Sequence, residues 1–335
     1  MSGAWDPGHL QTLAWWLSLA MLVSVLLILT GLLGLRLYRR WQAPKVQALR
    51  QAHRLLLMQC VAGEPVQGRI NLRDRGERWV FLKSWLHMQL SLKGAASARL
   101  TEMGRELGLQ DLALSQLRSS HYAKRMVALL TLGFLRLPSS VPLLQQRLTQ
   151  GHSHTAIYAG RALLEIDPGV HAAEVVQGLL GKGELDLALA AVMFKPFRPS
   201  LQEAMLSQWP RLDPSDMVRT TPEQLGPMVR WLRLARALQL QLPSPLLVPL
   251  LHPQEDIESL IAAIRLFQGE QGIEPLLRLA HHPDWRVRAQ VARALAYVGQ
   301  PATLPLLVEL TTDREWWVRF RSAQALFRLP GVTAK

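Results

Sequence analysis

The stretch from Pro283 to Leu329 is written twice. Moved forward by 31 positions, Asp284-Trp285-Arg286-Val287-Arg288 falls on Glu315-Trp316-Trp317-Val318-Arg319, and Ala292, Ala294 and Leu295 fall on Ala323, Ala325 and Leu326. A fixed period of this size marks a stack of small structural units. In each copy the core positions follow the i, i+4, i+7, i+8, i+11 spacing of one face of an α-helix: Val287, Val291, Ala294, Leu295 and Val298, then Val318, Ser322, Ala325, Leu326 and Leu329. Between the copies, Gly299-Gln300-Pro301 reads as a turn, Leu304, Leu307 and Leu310 as a second helix, and Thr312-Asp313 as the next turn. One helical hairpin of this kind cannot bury its apolar stripe alone, so its neighbours must cover it. The predicted fold is all-α, an α-solenoid preceded by a transmembrane helix.

That transmembrane helix is predicted over residues 13–35, where 23 residues carry no charge and ten are leucine. At about 1.5 Å per residue such a helix is long enough for a hydrocarbon core of about 30 Å. Trp15 and Trp16 mark one end and Tyr38 and Trp41 the other, the depths that amphipathic rings prefer. Residues 1–12 hold one formal charge, Asp6, and no basic n-region of a secretory signal. After the span come Arg36, Arg39, Arg40, Lys45, Arg50 and Arg54 with no acidic residue among them. The positive-inside rule therefore predicts a single-pass protein of the cytoplasmic (inner) membrane, with residues 1–12 outside and the repeat region in the cytoplasm. On this reading Arg36, Arg39, Arg40 and Lys45 set topology and touch anionic lipid. Ala20, Ser24, Gly31 and Gly34 line one face of the span, where small residues admit a second membrane helix.

Residues 36–103 are expected to be a basic juxtamembrane and helical capping segment. They comprise an amphipathic helix over 45–61, an irregular stretch from Gly63 to Gly76, and a helix carrying Trp79, Phe81, Trp85 and Met88. The repeat array is expected over 104–335. Its early hairpins are degenerate: Leu107 to Leu117 with Tyr122 to Leu132, ending at Gly133; a pair opened by Pro142; and Ala172 to Leu180 with Leu185 to Met193. Residues 197–242 are the least regular. Order then returns with Pro245-Leu246-Leu247, Pro275-Leu276-Leu277 and Pro305-Leu306-Leu307 at intervals of 30, each proline falling near a helix start, where its missing N–H costs nothing.

Three runs carry a resemblance: Gly-x-x-Gly-x-x-Pro-Leu-Leu from Gly269, His-Pro-Asp-Trp-Arg-Val-Arg from His282, and Ala-x-Ala-Leu-x-x-Val-Gly from Ala292. Together they resemble the HEAT repeat, in the short bacterial form also called PBS-lyase HEAT-like. The resemblance implies a superhelix of antiparallel helices whose concave face grips partners. The layout as a whole is similar to bacterial membrane-anchored HEAT-repeat proteins, some of which accompany envelope polysaccharide glycosyltransferases.

No catalytic, cofactor-binding or metal-binding residue is expected. His152 with His154, and His281 with His282, lack zinc spacing. The run Gly178-Leu-Leu-Gly181-Lys182-Gly183 is too short for a phosphate loop and follows no strand. Cys60, the sole cysteine, lies on an apolar helical face and excludes an intrachain disulfide. The arginines Arg286, Arg288, Arg293, Arg314, Arg319 and Arg321 recur with the helices and are expected in rows along one surface. A ladder pairing Arg288 and Arg319 with Asp284, Asp313 or Glu315 is the expected structural use. Trp285 and Trp316 are expected to pack against the preceding hairpin, whereas Trp317, whose counterpart is Arg286, is expected to face a partner. Trp317, Trp316, Trp285, Arg286, Arg314 and Arg321 are thus the partner-binding candidates, since Trp and Arg dominate interface energetics.

The function these features support is that of a non-enzymatic, membrane-anchored scaffold that binds a protein, with a membrane-bound glycosyltransferase system as the partner the resemblance suggests. Two alternatives stand beside it: an enzyme of the bilin lyase or DNA glycosylase type, and a nucleic-acid-binding solenoid prompted by the net charge of +13. Against the last, six of the positive charges sit beside the membrane span, and Glu255, Asp256, Glu258, Glu270 and Glu274 make part of the array acidic.

Overall fold

The structure of the protein is a computed structural model that describes residues 7–64, 75–209, 227–253, 257–267 and 273–329. Among the described residues every regular element is an α-helix or a short 3-10 turn. Contacts divide the chain into two units, Met1–Leu112 and Ala113–Lys335.

The first unit is built on α1 (Pro7–Ala62), α2 (Arg75–Ser91) and α3 (Ala95–Glu106). Separate helices over 13–35 and 45–61 were expected, but α1 runs unbroken through Pro44 for 56 residues. A proline withholds only one backbone donor, and the residues on either side are good helix formers, so the helix continues. Within α1, Trp15–Leu37 has a mean hydropathy of 2.4 and is long and apolar enough to cross a membrane. All its side chains are exposed, unlike those of a helix buried in a protein core. The far end of α1 turns its apolar face to α2 and α3. Leu57 and Cys60 are buried with Phe81, Leu82, Trp85 and Leu100, and the ring of His53 meets that of Phe81 edge-on at 5.2 Å. The Trp85 indole N–H donates to the Leu100 carbonyl at 2.8 Å, so the largest side chain of this core leaves no polar group unsatisfied.

α4 (Leu109–Leu117) contains the division between the units, which falls after Leu112. The second unit continues with α5 (Tyr122–Leu135), α6 (Val141–Gln150), α7 (Ser153–Ile166), α8 (Pro168–Leu180), α9 (Leu187–Phe194), α10 (Arg198–Gln208) and α11 (Pro227–Ala237). It closes with α12 (Ser244–Leu247), α13 (Ile257–Leu266), α14 (Ile273–Leu279), α15 (Trp285–Val298), α16 (Leu304–Leu310) and α17 (Trp316–Leu326). The odd-numbered helices from α5 to α17 each pack on the next and form one layer. The even-numbered helices form the other, as in the pairs α6/α7, α14/α15 and α16/α17. A single core of Leu, Val, Ile and Ala side chains runs between the layers, and each fully buried Leu or Ile in it contributes about 1.5–3 kcal/mol.

Caps and breakers set the ends of these helices. Asp167, Asp186 and Asp284 accept backbone N–H groups at the starts of α8, α9 and α15, each cap being worth about 1 kcal/mol. Gly299 ends α15 in the left-handed conformation, with φ at 67°. Pro249 cannot donate, so the first helix of its hairpin breaks into the four residues of α12 and a 3-10 turn over Val248–Leu250. Gly133, expected to end its helix, lies inside α5, which continues to Leu135. The glycine serves packing: a Cβ there would sit 2.5 Å from the Ala162 Cα, so its absence lets α5 and α7 approach closely.

Candidate interaction surface

The turns that lead into the second helices share a construction the sequence does not advertise. Arg288 donates through Nη1 to the carbonyls of His282 and Pro283, at 2.8 and 3.0 Å. Arg319 does the same to Asp313 and Arg314, at 2.8 and 2.9 Å, and Arg125 to Ser119 and Ser120, at 3.0 and 2.8 Å. In all three the first residue of the turn also accepts the N–H two places on. Ser119 Oγ takes that of His121, His282 Nδ1 that of Asp284, and Asp313 Oδ1 that of Glu315. A guanidinium four residues into the helix thereby closes the turn before it, and its fork of donors suits two carbonyls at once.

The expected ladder has one rung here. Arg288 Nε and Nη2 reach Asp313 of the following hairpin at 2.7 and 2.9 Å, with both side chains nearly buried. The Arg288 hydrogen bonds hold the Asp313 carboxyl below the ordinary carboxylate range, and the same bonds hold the guanidinium above its own. Arg319 has its two carbonyls and, among the described residues, no carboxylate. Arg286 turns to its own Asp284 at 2.9 Å and to Glu258 of the preceding hairpin at 3.8 Å. The recurring arginines therefore do not share one surface, as expected, but fall in three settings. Arg288 and Arg319 close turns, Arg286 and Arg314 stand exposed near the helix starts, and Arg293 and Arg321 lie further along α15 and α17.

Trp316 was expected against the preceding hairpin, yet 54% of it is exposed. It stacks instead on Phe320 of the next turn, with centroids 5.2 Å apart and planes 11° from parallel. Trp317, 50% exposed, meets the Trp316 ring edge-on at 4.7 Å and Phe320 at 6.1 Å. Phe320 is itself 42% exposed, and the Arg321 guanidinium lies 5.8 Å from its centroid. Three large rings, each about half exposed, thus stand together at the start of α17 in contact with one another. Trp285, at the equivalent place on α15, is 37% exposed and lacks a second ring at the position of Trp317, where Arg286 stands. Phe320 was missed by the sequence reading; its signal was the i, i+4 spacing from Trp316.

Residues 244–326 match the family of HEAT repeats. The match spans the hairpins α12/α13, α14/α15 and α16/α17, so the Arg288–Asp313 rung and the aromatic cluster both lie inside its HEAT region. No curated protein matches the chain. The same two-layer packing of helices extends back from the matched HEAT hairpins to α5.

Other residues weighed for chemistry have structural uses. Lys182 donates to the carbonyls of Thr149 and Gly151, tying together the turns of two successive hairpins. A Cβ on Gly178 would lie 2.6 Å from Leu148, so this glycine serves helix contact. Burial pushes the Cys60 thiol up, the opposite of what a nucleophile requires. His154 lies 3.3 Å from Asp186. Within the apolar span, Ala20, Ser24, Gly31 and Gly34 are all exposed, a Cβ on either glycine would meet open space, and the Ser24 hydroxyl donates to the Met21 carbonyl of its own helix. Arg36 is exposed at the end of the span, whereas the side chains of Arg39, Arg40 and Lys45 lie outside the described residues.

Proposed function

We propose that this protein is a non-enzymatic scaffold, anchored by α1 in the bacterial inner membrane with its repeats in the cytoplasm, that recruits a protein partner through its solenoid. The observation that carries the reading is the open cluster of Trp316, Trp317 and Phe320. Large rings exposed together are costly to leave in water and are enriched where one protein meets another. Arg321 and Arg314 beside them supply the polar fringe of such a contact. Orientation rests on the charge asymmetry across the span, with Arg36, Arg39, Arg40 and Lys45 on the cytoplasmic side and no basic residue before it. A membrane-bound glycosyltransferase of envelope polysaccharide synthesis is the partner in keeping with this layout.

The test is crosslinking of the full chain in native membranes followed by mass spectrometry. A partner captured by the intact protein should be lost when Trp317 and Phe320 are both changed to Ser. An unchanged set of crosslinks after removal of residues 245–335 would end this reading.

A further inference from the structure

A second feature lies on the layer of odd-numbered helices. A groove of about 770 Å³ is lined by α9, α11, α13 and α15, and its lining contains Arg233, Arg236, Arg265 and Arg293 but no carboxylate. Arg233 is bound to Glu258 at 2.7 Å. Arg236, Arg265 and Arg293 have no ion-pair partner among the described residues; Arg265 reaches only the Gln290 amide oxygen, at 3.2 Å. Arg236 and Arg265 stay open to solvent at the groove, and partial burial followed by the neighbouring guanidiniums pulls both below the ordinary arginine range. Glu258, which holds Arg233 and whose charge also acts on Arg265, is the one carboxylate near this group among the described residues. Three like charges gathered from three successive hairpins still exceed it, and an anion in the groove relieves them.

The remaining lining identifies the kind of anion. Ala188, Ala191, Leu240, Ile264 and Phe267 give the groove an apolar side, which a phosphodiester backbone cannot use. Tyr297 is the exposed aromatic of the lining at 58%. Arg293 and Arg328 both lie 5.7 Å from its ring centroid, and Phe267, the other aromatic of the lining, is buried, so the groove lacks the succession of open rings on which single-stranded nucleic acid stacks. An arginine fork matches a carboxylate in two-point geometry. Neighbouring packed helices stand about 8–10 Å apart, and every third residue of an extended chain recurs at roughly 9–10 Å.

We propose that the α9–α15 groove binds an extended acidic segment of a protein, in which carboxylates at about every third residue meet Arg236, Arg265 and Arg293 and the intervening apolar side chains rest on the groove's apolar side. This rests on the reading of the solenoid as a recruiter of proteins and adds a surface and a partner chemistry to it.

The test uses the full chain in nanodiscs of zwitterionic phosphatidylcholine, so that anionic lipid does not compete, with a fluorescent (Glu-Pro-Leu)4 peptide as probe. Proline keeps the probe extended, and its glutamates recur at about 9 Å. Saturable binding is expected. It should weaken at least about tenfold for (Gln-Pro-Leu)4 on the unaltered protein and about tenfold for Arg265→Gln or Arg293→Gln. Circular dichroism would check that both variants fold, and Arg118→Gln, at an exposed arginine outside the groove lining, should leave the affinity unchanged. No saturable binding, equal binding of the glutamine peptide, or tighter binding of a twelve-residue oligothymidylate through the same arginines would each overturn the proposal. Should the peptide fail while crosslinking through Trp317 and Phe320 succeeds, the groove proposal falls and the scaffold reading stands.

Discussion

Arg288 and Arg319 occupy the same place one repeat apart and close their turns with the same pair of carbonyl bonds, yet only Arg288 is given a carboxylate, Asp313 of the following hairpin. Asp313 does two jobs at once. It caps the turn of its own hairpin through the Glu315 N–H and locks that hairpin to the one before. Its counterpart one repeat earlier, His282, accepts the equivalent N–H with a ring nitrogen and brings no negative charge. Stacked repeats depend on nearest-neighbour contacts, so this pair should govern how firmly the last described hairpin is held.

Changing Asp313 to Asn should therefore destabilise the C-terminal repeats by about 3 kcal/mol, because it leaves the Arg288 guanidinium nearly buried without its partner. Hydrogen exchange would show this as faster exchange in α16 and α17 with little change in α5 to α8. Uniform acceleration across the array would contradict a local role.

The same pair predicts a pH dependence. Arg288 holds the Asp313 carboxyl below its ordinary value, and Arg286 does so for Asp284. A carboxyl whose folded pKa is depressed stabilises the protein above its unfolded value, about 3.9, and loses that contribution as pH falls through the folded pKa. The contribution of these two carboxylates to the thermal midpoint should hold steady from pH 7 to 5 and be lost below about pH 4. His53, whose burial lowers its pKa, takes stability away already below about pH 6.5. In Asp313→Asn the carboxylate loss should be smaller, and an equal loss would mean that other groups carry it.

Gly133 offers a test of packing. Ala at this position would drive a Cβ into the Ala162 backbone and should cost about 1–3 kcal/mol through overpacking. Gly183→Ala, where a Cβ meets nothing within 4 Å, should stay within about 0.5 kcal/mol of the parent in chemical denaturation.

Trp317→Ser with Phe320→Ser should separate binding from stability. Trp317 and Phe320 are about half exposed and make ring contacts with each other and with Trp316. The unfolding free energy should fall by no more than about 1.5 kcal/mol for each change, the size of an aromatic pair, while partner capture in native membranes is lost. A large fall in stability would place the rings in the structural framework.

Membrane orientation can be read with a thiol reagent that does not cross the bilayer. A cysteine introduced at Ser2 should label in intact cells. Cys60 should label slowly even after lysis, because burial raises its pKa and so keeps the thiolate scarce. Labelling of Cys60 in intact cells at the rate of the Ser2 variant would reverse the topology.

The helical class, the hairpin unit and the apolar span were legible in the chain, because each is encoded by residues close together. The stripe from Val287 to Leu295, the caps at Asp167 and Asp284 and the charge-free run over 13–35 all act within one or two helical turns. Tertiary structure alone decided which arginine meets an acid, that Trp316 faces outward, and that Arg236, Arg265 and Arg293 share one groove. Those outcomes depend on how each hairpin is displaced against the next. Close approaches such as Gly133 against Ala162 set that displacement, across distances in sequence over which a periodic pattern carries no information.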